Sequence, residues 1–166
     1  KELFSVNVWT QGLSDGKKRP VMLWLHGGGF HVGASNDPMT YGKAMAKKGD
    51  VVFVSVNHRL NILGFLDLSA CGAKYSQSAN VGMLDIVKAL EWIKSNIGNF
   101  GGNPSDVTIL GESGGGGKVG TLMCMPAAKG LFHKAIIQSG TLLNVMTKEE
   151  SQALGLAVLE NLGLTA

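Results

Sequence analysis

Val107-Thr108-Ile109-Leu110-Gly111-Glu112-Ser113-Gly114-Gly115-Gly116-Gly117 sets an apolar run, a glycine-framed serine and a glycine tract in immediate succession. Residues 107–110 read as a strand and residues 117–125 as a helix, so the pentapeptide 111–115 falls where a strand turns sharply into a helix. The G-x-S-x-G pattern has a mechanical meaning at such a junction. A serine presented at the tip of so tight a turn holds a strained backbone and crowds the residues two before and two after. Gly111 and Gly115 meet that steric demand. In a chain with 24 glycines the pentapeptide is weak by itself, and the surrounding pattern has to carry the reading.

That pattern extends in both directions. Pro20–His26 and Val51–Val56 are nearly unbroken apolar runs, which is how strands covered on both faces of a parallel sheet read. Ala135–Ile137 is a shorter candidate, and Phe4–Trp9 a strand nearer an edge. The five large apolar residues of 51–56 contribute on the order of 10 kcal/mol before entropy, so that strand is expected to be central. Between the strands, Met83, Val87, Leu90, Ile93 and Ile97 recur at helical spacing, with Asn80 as N-cap and Gly98 as stop. Residues 38–48 and 148–162 complete the helical candidates. Strand and helix in alternation predict an α/β domain over residues 1–166.

Composition narrows the function classes. Fifteen basic and twelve acidic residues leave a net charge of +3, too small and dispersed to argue for nucleic acid or an anionic membrane. Lys17-Lys18-Arg19 reads as a solvated turn ahead of a strand. No stretch reaches the length of a membrane span, and nothing at Lys1 resembles a signal peptide. Cys71 and Cys124 read as two free thiols rather than a disulfide framework. His31 and His58 have no metal-site spacing, and neither metal nor organic cofactor is expected.

A second glycine cluster follows another strand, His26-Gly27-Gly28-Gly29-Phe30. Backbone N–H groups clear of side chains, aimed at an oxygen that turns negative as a serine attacks a carbonyl, are what an oxyanion hole requires. Two phosphate motifs fail on context. Gly115–Gly120 fits G-x-G-x-x-G, but begins several residues beyond the strand end and has no acidic residue near Gln138 for a ribose; a P-loop lacks its first glycine and its Ser/Thr.

Asn7-Val8-Trp9, His26–Phe30, Asn57-His58-Arg59-Leu60 with Gly64-Phe65, Asn80–Asp85, Asn99–Pro104, Gly111–Gly115 and Ala135–Gly140 together resemble type-B carboxylesterases, in order and across almost the whole chain. Met125–Phe132 resembles bacterial members, such as para-nitrobenzyl esterases, more than animal ones. The resemblance implies an α/β-hydrolase fold, with a mostly parallel sheet and flanking helices, truncated at its C-terminal side. It implies Ser113 as the nucleophile of ester hydrolysis, Gly28, Gly29 and Gly114 as oxyanion donors, and Glu112 as a pocket-adjacent residue. Many relatives carry alanine after the serine; Gly114 keeps the backbone donor and loosens its aim. Arg59 and Asp85 resemble a buried structural ion pair.

In this family the triad acid and histidine follow far downstream, so a C-terminal remainder of the same enzyme is expected, with an ester as the small-molecule substrate. His133 is set aside as catalytic base, and His26 is read as a structural hydrogen-bonding residue. The segment alone is expected to be weakly active at best and poorly soluble, with an uncovered sheet edge. The reading of another class, a non-catalytic cholinesterase-like interaction module, is opposed by the retained serine and both glycine clusters.

Overall fold

The computed structural model describes residues 4–140 and 144–164. Five strands form one sheet: β1 (Ser5–Trp9), β2 (Arg19–Leu25), β3 (Val52–Asn57), β4 (Gly102–Glu112) and β5 (Lys134–Gln138), in the order β1-β3-β2-β4-β5. Only β1 is antiparallel, along β3; the β2–β3, β2–β4 and β4–β5 pairs are parallel. The helices are α1 (Lys43–Gly49), α2 (Asn61–Phe65), α3 (Val81–Asn96), α4 (Gly114–Cys124) and α5 (Lys148–Asn161).

The apolar runs at 20–26 and 51–56 are interior strands. Val21, Leu23, Leu25, Val52, Val54 and Val56 are fully buried and pack with Ile86, Leu90 and Ile93 of α3 and Val119 and Leu122 of α4. The centre of the sheet is β2, however, and β3 stands one place towards the edge. Burial made β3 apolar on both faces; neighbour order is decided by pairing, which apolarity does not encode. Strand β4 also runs five residues further back than the apolar stretch at 107–110, because Arg19 pairs with Gly102 across an irregularity in the ladder.

Asn80 does occupy the position before α3 but makes no side-chain cap, and the helix passes into a 3-10 turn, Ile97–Phe100, that contains Gly98. By contrast, α5 begins with a complete capping box: Thr147 Oγ1 accepts from Glu150 N–H while Glu150 accepts from Thr147 N–H.

Arg19 corrects the reading of the basic run as a solvated turn. Its side chain is buried, donating to Asp15 at 2.7 and 2.9 Å and to Asp50 at 2.6 Å. Two carboxylates, one four residues earlier and one beyond α1, neutralise it, which permits burial at a strand start. Both cysteines are free thiols. Among the described residues no helix is long and apolar enough to cross a membrane.

Arg59, just after β3, and Asp85, in the first turns of α3, form a bidentate pair, with Nη2–Oδ1 at 2.7 Å and Nε–Oδ2 at 2.9 Å; Arg59 N–H also donates to Oδ2 at 2.9 Å. Only half of the pair is buried as expected: Asp85 is buried, whereas the Arg59 side chain is 40% exposed. Burial alone would raise the Asp85 carboxyl, but the Arg59 contacts outweigh it and hold it below the ordinary value. Asp85→Ala removes three acceptor contacts at once and is expected to cost about 2 kcal/mol, read as a lower urea midpoint at unchanged slope.

Candidate active site

Ser113 sits between β4 and α4 with φ 54° and ψ −121°. Positive φ is costly for a residue with a Cβ, and it persists here because both flanks are fixed. Ser113 N–H donates to Gln138 C=O at 2.9 Å, and Ser113 C=O accepts the first α4 bond from Gly117 N–H at 3.1 Å. The close packing foreseen at the flanking glycines is present. A Cβ on Gly115 would lie 2.0 Å from Leu25 O, and one on Gly111 would lie 2.4 Å from the Gly115 carbonyl carbon.

The glycine cluster following β2 lies at the same end of the sheet, because β2 and β4 run parallel with Leu25 opposite Gly111. Gly28, Gly29 and Phe30 all have positive φ, and Gly28 C=O accepts from the N–H groups of His31 and Val32, curling the turn back on itself. The turn and the serine meet directly. A Cβ on Gly27 would stand 3.5 Å from Ser113 Cβ and 3.3 Å from Glu112 Oε2; one on Gly114 would stand 2.6 Å from Gly29 N. Glycine after the serine therefore lets the backbones of residues 114 and 29 come closer than an alanine would.

Ser113, Glu112, Gly28, Gly29 and Gly114 are thus gathered in one place. Ser113 and Glu112 are exposed, so the hydroxyl is open to a reactant. Beside Gly29 and Phe30 opens a cavity of about 510 Å³, with Ile62, Phe65, Leu66 and Val158 in its wall. Segments after both β3 and β5 build that wall.

His133 lies away from this group. It immediately precedes Lys134, which pairs with Thr108, and its Nδ1 accepts from Val107 N–H at 3.1 Å. Five residue steps lead from Thr108 to Ser113, roughly 16 Å along the sheet. His26 Nδ1 is 2.9 Å from Gly27 O, and the His26 and His58 rings stack at 5.0 Å between centroids, 8° apart. Burial, and next the charge on Lys118, lower His58 to about 4 and hold His26 below the ordinary imidazole value, so both rings are neutral at pH 7. Among the described residues no cluster of three or more His, Cys, Asp or Glu side chains could hold a metal.

The near-motif at Gly115–Gly120 belongs to α4, where Gly115 packs against the end of β2 and Gly116 against the end of β5, with Gly117 also buried. That packing leaves no room for a nucleotide.

The sequence reading missed Lys118. It is fully buried, its Nζ donates to His26 C=O at 2.8 Å, and it stands 5.1 Å from the centre of the Phe30 ring. A signal was present: Lys118 precedes Leu122 by four and follows Gly115 by three, which places it on the core-facing side of the helix.

Residues 4–164 match the carboxylesterase family. The chain is 47% identical over 148 residues to the para-nitrobenzyl esterase of Bacillus subtilis, covering 89% of this chain and 30% of that protein. It is 40% identical to the phenmedipham hydrolase of Pseudarthrobacter oxydans, covering 98% and 32% respectively. The crystal structure of a Geobacillus stearothermophilus carboxylesterase superposes with a TM-score of 0.93 at 44% identity, covering 98% of this chain and 35% of that one. An esterase of Clostridium hathewayi, described as able to hydrolyse aliphatic aromatic polyesters, superposes with a TM-score of 0.91 at 51% identity, covering 98% and 33%. The chain thus spans about a third of the length of these relatives. The sheet with its flanking helices is that of the α/β-hydrolase fold, and the chain belongs to the carboxylesterase family.

Proposed function

We propose that the protein carrying this segment is a serine carboxylic ester hydrolase, and that residues 1–166 form the N-terminal part of its single catalytic domain. The observation that supports this most is the meeting of two turns: an exposed serine on a strained strand-to-helix corner, faced by consecutive positive-φ glycines whose backbone reaches Gly114. Ser113 Oγ adds to the ester carbonyl carbon and gives its proton to a histidine from the chain beyond Ala166. The N–H groups of Gly28, Gly29 and Gly114 hold the oxygen that becomes negative. The C–O bond then breaks, the alcohol leaves with the proton, and water releases the acid from acyl-Ser113.

The apolar cavity beside Gly29 favours an apolar or aromatic group on the ester, in keeping with relatives named for para-nitrobenzyl esters and phenmedipham. Glu112, beside the serine, faces Gly27 of the oxyanion turn. The segment alone supplies nucleophile and oxyanion donors without the acid and histidine, and it should turn over esters weakly at best. The full-length protein should hydrolyse para-nitrophenyl butyrate and be labelled by a fluorophosphonate at Ser113. A labelled peptide that excludes residue 113, or absence of turnover in the folded full-length protein, would refute the assignment.

A further inference from the structure

We propose that Lys118 is a positioning residue for the oxyanion turn, gripping both of its ends from beneath through the His26 carbonyl and the Phe30 ring. The inference rests on the esterase reading above and concerns a residue that never touches the substrate. Lys118 lies on α4, five residues beyond Ser113, and its side chain is fully buried. Nζ donates to His26 C=O, immediately before Gly27, and stands over the ring of Phe30, immediately after Gly29. The three glycines are therefore bracketed by one side chain that springs from the same helix as Gly114. The helix that supplies one donor thereby fixes the turn that supplies the other two.

A purely structural role does not account for a lysine at this place. Among the described residues no carboxylate lies within ion-pair distance of Nζ. Two buried imidazoles lie nearby, with both Nε2 atoms lacking partners among the described residues. Burial pushes the ammonium down to about 8. A charge held without a counterion works against folding, and an apolar side chain of the same length would fill the space without that cost. What the lysine adds is a directed donor and a cation for the ring. The turn's backbone bonds lie at Gly28 C=O and Phe30 C=O; Lys118 adds a hold at its other end, His26 C=O, from the helix that carries Gly114.

The test compares the full-length wild-type protein with Lys118→Met, which keeps the stem and removes the donor and charge, and Lys118→Gln, which keeps a shorter donor. For Lys118→Met the expected result is a kcat lower by about 30–100-fold, KM changed by less than about 3-fold, and an unchanged or raised melting temperature. Inhibition by a trifluoromethyl ketone, whose hemiketal oxygen occupies the oxyanion site, should weaken by the same factor as kcat/KM. Lys118→Gln should recover part of both. Unchanged kcat in Lys118→Met would overturn the proposal, as would a lower melting temperature with substrate and inhibitor affinity falling together. An inert, folded wild-type protein would refute the esterase reading itself, whereas an active wild type with indifferent variants would refute only the clamp.

Discussion

Replacing Ser113 with alanine in the full-length protein is expected to lower kcat for para-nitrophenyl esters by about 10⁵–10⁶-fold with little change in KM. The size follows from what is lost. Without the hydroxyl no acyl-enzyme forms, and the remaining donors can only assist direct attack by water, as in a serine protease stripped of its nucleophile. The fold should survive, because Ser113 is exposed and its backbone contacts to Gln138 and Gly117 do not involve Oγ. Alanine carries the same Cβ, so the cost of φ 54° is unchanged. Matched melting curves beside steady-state rates decide the matter, and a variant within tenfold of wild-type kcat would mean that another group is the nucleophile.

The second large effect is expected on stability. A Cβ on Gly115 would fall 2.0 Å from Leu25 O and 3.0 Å from His26 O, both backbone atoms at the end of β2. Neither can withdraw without disturbing the pairing of Leu25 with Gly111 or the start of the oxyanion turn. Gly115→Ala should therefore destabilise by about 3–5 kcal/mol and abolish fluorophosphonate labelling in whatever fraction still folds. Gly120, on the same helix, is the control: its Cβ would meet only Ile137 Cδ1 at 3.8 Å. Gly120→Ala should be stabilising by about 0.5–1 kcal/mol through helix propensity. Urea unfolding of both variants would test the pair, and equal midpoints would show that the tight contact at Gly115 does not govern stability.

Much of this architecture could be read in the sequence because its causes are local. Strands buried on both faces leave continuous apolar runs, and a serine on a tight corner demands small neighbours at fixed spacing. The corner at Ser113 with its flanking glycines was reachable in that way, whereas the roles of Gly28, Gly29 and Gly114 came from the resemblance to type-B carboxylesterases. What could not be read depends on partners distant in sequence. The place of β2 at the centre is a matter of which edges pair. The burial of Arg19 depends on Asp50, brought beside it only when α1 returns the chain to β3. Lys118 was hidden for a related reason: the acceptor that makes a buried lysine tolerable belongs to His26, just past the end of β2. The exposure of Arg59 likewise depends on how the loop beyond β3 settles against α3.

The corner at Ser113 spans only a few residues, yet Leu25 and Gln138, at the ends of the two strands beside β4, hold it in place. Helix α4 can form from contacts within itself, and it does so quickly in a folding chain. The strained conformation of the serine cannot, because nothing favours it until β2 and β5 have both closed on β4, which requires long loops to be brought together. On the esterase reading proposed above, the strained serine is therefore expected to form late in folding. Until the sheet around it is complete, the serine would have the ordinary backbone of an unstrained residue, and the corner that presents its hydroxyl would not exist.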